Sequence, residues 1–387
     1  MDQPLAHRIA PHWIRTLLSL ALAGPLLATL MASPALARER GPDIMRQNIS
    51  SATSEAAAPQ IALGAGRMVA IWAEHDSRFG YTSTRPGDGW PKAEVLRTHA
   101  LTRFQWPAVA VDGAGTVHLA YAANDRVYYQ SQSASGEWSG LVQVGMSRQA
   151  NTTRIVRALD GTLWIVWRDR DGTALFYRYS LDGGRSWHAG EDQGVVAVEP
   201  GNMIYPSIAL GYDNLLHIVW YVRSGGPNQG EIRYADWTGT HFNVGRVTTD
   251  GSEHYDAEPA IVIDPQNVQH VVWRKGYANH WDIRYARRMP GRGWQDFTTI
   301  ATTKADYKYP PSVATDELGN LFVSYAEPLG RDGQRIALRY KLGDGAWQSL
   351  ALSTGHWDSR TSVIASIVTG SIEAHVVYQH QISGGGS

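Results

Sequence analysis

Apolar and polar residues alternate along most of this chain in paired short runs joined by a turn. PAVAVDGAGTVHLAY from Pro107, PSIALGYDNLLHIVW from Pro206, PAIVIDPQNVQHVVW from Pro259 and PSVATDELGNLFVSY from Pro311 share one layout. Each has an alternating run, a turn of Asp, Gly or Asn, and a second run ending on an aromatic. That layout predicts a β-hairpin. Looser copies start at Pro59, Thr153 and Ser362. The closing aromatics are Trp72, Tyr121, Trp167, Trp220, Trp273, Tyr325 and Tyr378, about 46–53 residues apart. This is the period of propeller blades.

A polar loop and a tyrosine-bearing third run follow each of the first six hairpins, as in VYYQS, EIRYAD and DIRYAR. A turn, in most copies a tryptophan (Trp90, Trp138, Trp187, Trp294, Trp347), and a short outer run complete the unit. Four strands per unit and seven hairpins predict an all-β fold, a seven-bladed β-propeller of four-stranded antiparallel blades. The seventh copy stops after HVVYQHQISGGGS. The early segment DIMRQNISS, from Asp43, is expected to complete that last blade by pairing with the C-terminal strands, leaving one strand position unfilled.

Composition narrows the class. The 387 residues include 15 Trp and 18 Tyr but only 6 Phe, and no Cys. Trp and Tyr combine an apolar face with a hydrogen-bonding edge, which suits exposed stacking surfaces. A net charge of -1 gives no electrostatic footprint for nucleic acid. Arg8 and Arg15 precede an apolar run, and Ala35 and Ala37 fit a cleavage site before Arg38. Residues 1–37 therefore read as a secretory signal, residues 38–387 as a single domain, and the destination as secreted or periplasmic. The run is short for a membrane span and is broken by Pro25, so no stable membrane insertion is expected after its removal. Without disulfides the exported domain depends on its own core.

One turn is distinctive. SLDGGRSW carries Ser180, Asp182, Gly184, Ser186 and Trp187 in the order of the Asp-box, the BNR repeat, and by this motif the chain resembles the sialidase (neuraminidase) superfamily. The other blades hold only remnants, such as PGDGW and PGRGW. The residue types are those of a turn: Asp accepts backbone N–H groups and Gly tolerates positive φ. The resemblance implies a structural Asp-box on the face away from the substrate, and it places function on the opposite face.

That opposite face is built from loops leading into the inner strands and loops joining second to third strands. They carry Trp106, Tyr205, Tyr255, Tyr277, Trp281, Tyr309 and Trp357 among charged neighbours, a combination suited to sugars. The sialidase resemblance implies three arginines on a substrate carboxylate, a tyrosine nucleophile paired with a glutamate, and an acidic aspartate. The candidates are Arg154, Arg168, Arg274 and Arg360 for the carboxylate, Tyr255 and Tyr309 for the nucleophile, Glu258 as its partner and Asp76 as the acid. Trp106 and Trp281 are substrate-binding plates. The family's arginine-bearing signature is absent, since blade two reads Gln105-Trp106-Pro107 where it belongs.

Three readings share this face: a sialidase-like propeller that binds an acidic glycan, with its cleavage left open, a non-catalytic propeller that binds an extracellular protein, and a polysaccharide lyase using His254, Tyr255, Arg274 and His280. No cofactor is expected. His118, His217, His270 and His375 stand three residues before closing aromatics, where other blades carry Val69, Trp164 and Phe322, so they read as packing residues rather than metal ligands. Asp169 and Asp171 in one turn are too few for a cation site.

Overall fold

A computed structural model describes residues 13–19, 25–31, 43–50, 56–74, 78–86, 88–97, 105–146, 151–169, 171–190, 194–199, 202–223, 230–249, 255–277, 280–303, 309–330, 333–354, 358–368 and 371–380. Six four-stranded antiparallel sheets follow one another along the chain. The first is β4 (Ala56–Gly64), β5 (Arg67–Glu74), β6 (Arg78–Thr84) and β7 (Glu94–Arg97). The second is β8 (Gln105–Val111), β9 (Val117–Ala123), β10 (Arg126–Gln132) and β11 (Val142–Met146), and the third β12 (Asn151–Arg157), β13 (Leu163–Arg168), β14 (Ala174–Ser180) and β15 (Val195–Val198). The fourth is β16 (Asn202–Leu210), β17 (Leu216–Arg223), β18 (Glu231–Trp237) and β19 (Phe242–Arg246). The fifth is β20 (Tyr255–Ile263), β21 (Gln269–Gly276), β22 (Trp281–Arg288) and β23 (Trp294–Thr303), and the sixth β24 (Ser312–Thr315), β25 (Leu321–Pro328), β26 (Gln334–Lys341) and β27 (Gln348–Ala351).

The structure thus has six four-stranded blades, not the seven expected. The last hairpin, β28 (Ser359–Val368) and β29 (Ser371–Gln379), belongs to a sheet of another make. It joins β1 (Trp13–Ser19), β2 (Pro25–Met31) and β3 (Asp43–Asn48) in the order β1-β3-β2-β29-β28. Segment 43–48 does reach this sheet, but it pairs with β1 and β2 rather than with the C-terminal hairpin. The physical reason is simple. β2 takes the place beside β29 and pairs its open edge, which leaves β3 to pair with β1 and β2. Outside β1 and β2 the expected leader, residues 1–37, lies beyond the described residues, as does the GGGS tail.

The second strand of every hairpin forms the core. The seven closing aromatics are all at most 1% exposed. Burial of such side chains contributes on the order of 2–3 kcal/mol each. The innermost strands follow one another around the axis, and β28 returns to β4 to close the circle. Small axial hydroxyls fasten neighbouring strands: Ile61 N donates to Ser362 Oγ at 3.4 Å, Ile261 N to Ser207 Oγ and Val363 N to Ser312 Oγ, both at 3.2 Å.

Candidate functional site

The site is built by one backbone device used six times. Where β4, β8, β12, β16, β20 and β28 begin, the pairing with the second strand slips. At each slip one residue adopts positive φ: Ala58 (51°), Trp106 (38°), Thr152 (53°), Tyr205 (51°), Glu258 (54°) and Arg360 (40°). None is glycine, and such a conformation costs about 1–3 kcal/mol apiece. Four of the six precede a proline, which has no N–H to give to the ladder, so the bulge sacrifices no hydrogen bond there. Blade six has Pro310 at the equivalent position, whose ring fixes φ near −65°. It cannot form the bulge, and β24 starts only at Ser312.

Ala58, Trp106, Tyr205 and Arg360 from these bulges line a cavity of about 100 Å³ with Arg154, Gln60 and Ser207. Arg154 stands two residues past the bulge. The same position holds Gln60, Ala108, Ser207, Ala260, Ser312 and Ser362 in the other inner strands. A guanidinium therefore fills space that the other blades leave mostly to small side chains. Its Nη1 donates to Thr153 O at 2.9 Å. Among the described residues it forms no ion pair, and burial pushes it down to about 10, against a weak opposing pull from Tyr205. A half-buried cation with no ion pair among the described residues, at the wall of a cavity, favours an anionic guest.

Glu258 is only 4% exposed. Its Oε2 lies 2.6 Å from Arg274 Nε, and Arg274 Nη2 donates to its Oε1 at 3.3 Å. Burial pushes this carboxyl up to about 7, although Arg274 and Arg360 favour its charged form. Arg274 in turn stacks over Trp281, 4.3 Å from the ring centre. Arg360 lies 4.6 Å over Trp106 and 5.9 Å from the Tyr309 ring. Tyr205 stands between these groups. Burial first, and then the Glu258 charge, raise its phenol above the ordinary value, while Arg360, Arg274 and Arg168 pull it down.

The expected arginines thus gather around Tyr205, but with different duties. Arg154 and Arg360 line the cavity, whereas Arg274 is committed to Glu258. Arg168, lowered by burial, donates from Nε to Asp169 O at 3.1 Å. Tyr255 stands further out. Its hydroxyl donates to Tyr221 at 3.2 Å and its ring meets Trp281 edge-on at 5.7 Å. Tyr309 touches the site through Arg360 alone among the contacts described. Asp76, His254 and Trp357 lie outside the described residues. His280 is stacked on Tyr277 at 4.4 Å. Sequence reasoning counted Tyr205 as a loop aromatic and gave it no chemical role. Its signal was its place before Pro206, which aligns it with Trp106 and Glu258.

The opposite end of blade three holds the octapeptide. Asp182 Oδ1 accepts from Arg185 N (3.0 Å), Ser186 N (2.9 Å) and Ser180 Oγ (2.8 Å). Gly184 N donates to Ser180 Oγ at 2.8 Å, and Trp187 Nε1 donates to Gly184 O at 3.1 Å. Trp187 meets Tyr129 of blade two edge-on, and Tyr129 donates to Gly183 O at 3.1 Å. The turn is a staple between blades. The buried histidines are likewise bonded to neighbours: His118 to Tyr129 and Asp112, His270 to Tyr285 and Asp264, His217 to Asp236, and His375 to Glu373.

No protein-family model matches the chain, and no curated protein matches it in sequence. Solved structures do match in fold. The BP39L lectin from Burkholderia pseudomallei is similar over 87% of this chain and 95% of its own, with TM-score 0.60 and 12% identity. An α-L-arabinanase of Penicillium chrysogenum, complexed with arabinobiose, covers 72% of this chain and 94% of its own, with TM-score 0.50 and 11% identity. A mutant of the Aleuria aurantia lectin, in complex with Fucalpha1-6GlcNAc, covers 77% of this chain and 97% of its own, with TM-score 0.50 and 12% identity. These likenesses establish the all-β propeller.

Proposed function

We propose that this chain is a glycan-binding propeller whose axial cavity takes the carboxylate of an acidic sugar. The observation that carries the reading is Arg154, a half-buried cation with no described carboxylate partner, facing a cavity with Arg360. Trp106 and Tyr205 supply aromatic walls against which a sugar's apolar face packs. Two of the fold relatives named above are complexed with sugars, arabinobiose and Fucalpha1-6GlcNAc, which supports carbohydrate over protein as the partner. A cavity of about 100 Å³ admits a carboxylate and its near neighbours, with the rest of the glycan lying over the face. The test is binding to a panel of acidic and matched neutral glycans. Arg154→Gln should weaken acidic ligands at least about tenfold, the scale of one charge-assisted pair. Equal binding of acidic and neutral glycans would sink the reading, and capture of proteins alone would favour the interaction propeller.

Cleavage of the sialidase type is the second reading, and one observation favours it. Tyr205 and Glu258 occupy neighbouring bulges and interact electrostatically beneath arginines. In this reading Tyr205 takes the nucleophile's place expected of Tyr255 or Tyr309. Release of the aglycone from a sialoside, abolished in Tyr205→Phe with binding retained, is the measurement. No turnover by the folded wild type would leave a lectin.

A further inference from the structure

We propose that carboxylate binding in the axial cavity is coupled to proton uptake by Glu258, which rests on the functional reading just given. The argument starts from geometry. Glu258 is a bulge residue beside Pro259, which lines the cavity, and it is almost wholly buried. Both its oxygens face one guanidinium, that of Arg274, whose flat side is covered by Trp281. The pair therefore has little room to separate. The charged and titratable groups around Glu258 are Arg274 on β21, Arg360 on β28, Tyr205 on β16 and Tyr221 on β17. Both phenols are held neutral by burial. Two arginines thus face one internal carboxylate.

An incoming carboxylate on Arg154 and Arg360 makes a second anion in the same enclosure. Two carboxylates sharing a low-dielectric site do not both stay ionised, and the more buried one takes the proton. Glu258 is already poised near neutrality by burial, at about 7. The proton comes from solvent, and on it Glu258 keeps a neutral hydrogen-bonding group toward Arg274. Net charge in the site is then unchanged by binding. The sign follows. Below about pH 7 the proton is already present and affinity is flat, whereas above it each ligand must bring a proton and affinity falls by up to about tenfold per pH unit.

The test uses the full chain with two simple probes, acetate and D-glucuronate, in isothermal titration calorimetry. Runs at pH 7.5 in buffers of different ionisation enthalpy count the protons taken up. The expected result is net uptake of more than about half a proton per ligand, and affinity about tenfold weaker at pH 8 than at pH 6. In Glu258→Gln both effects should vanish. If that variant does not fold, the buffer series on the wild type decides alone. Binding without proton uptake, or with a pH dependence that persists in folded Glu258→Gln, overturns the coupling and leaves the functional reading standing. Failure of both acids to bind between pH 5.5 and 8.5 overturns both.

Discussion

At the scale of single residues, the molecule separates frame from site by the work each group does. Ser180 is fully buried and its hydroxyl serves Asp182 and Gly184 together. Removing it orphans a buried donor, so Ser180→Ala should cost about 1–3 kcal/mol in urea unfolding. Gly184 is a harsher case. It holds φ of 91°, and an added Cβ would sit 2.2 Å from the Tyr129 ring. Tyr129 is itself fixed by His118 and Gly183. Gly184→Ala should therefore cost about 3 kcal/mol or more, the sum of a left-handed side chain and an overpacked contact. In both variants the folded fraction should keep the ligand affinity of the wild type, because the turn lies at the far end of the blade from Arg168 and the cavity. Loss of binding in either folded variant would show that frame and site are not separable.

Among the elements, the hairpins were readable and the bulges were not. Alternation, turn chemistry and a closing aromatic are local properties, so the second strands and their buried rings could be placed from residues alone. Trp106, Tyr205, Glu258 and Arg360 have no preference for positive φ. Their conformation is imposed by the need to bring inner strands together around an axis, and a single sequence carries no such signal. For the same reason the arginines were found as a group but their duties were not. Only the pairing register shows that Arg274 is opposite Ala257 and thus beside Glu258. The bulges also make a prediction of their own. Trp106→Gly removes contacts with Tyr205 and Arg360 but relieves the left-handed strain, a relief of roughly 1 kcal/mol. Stability should change by less than about 2 kcal/mol, while affinity for an acidic glycan falls at least about tenfold, since one wall of the cavity is gone. A variant as tight-binding as the wild type would remove Trp106 from the site.

For the whole molecule the questions are closure and pH. The last hairpin already meets β4 through Ser362 and Ile61, so the circle is closed without the N-terminal strands. β3 is held separately, by Gln47 accepting from Trp90 N at 3.0 Å and by the buried Ile49. A chain beginning at Arg38, as the expected leader cleavage would leave, should therefore fold cooperatively and bind as the full chain does. Aggregation of that shorter chain would mean that β1 and β2 are needed to cover β29. The pH profile follows from groups with opposite signs. Burial lowers His118 and His375 below the usual imidazole value, so their neutral forms stabilise the fold above about pH 6.5, and this is lost as pH falls below it. Asp112, Asp236 and Asp264 are held below the ordinary carboxylate value by hydrogen bonds and histidine partners that outweigh their burial, so a second loss sets in below about pH 4. Glu258 runs the other way. Its raised value makes its contribution complete below about pH 4.5 and lost progressively as pH rises from there to about 7, with no further change above. The histidines and aspartates should therefore lower the midpoint of thermal unfolding in two stages on the acid side, below about pH 6.5 and again below about pH 4. Between about pH 4.5 and 7 Glu258 offsets part of the histidine gain, so the midpoint of Glu258→Gln should rise more steeply across that window, and an unchanged profile there would take Glu258 out of the account.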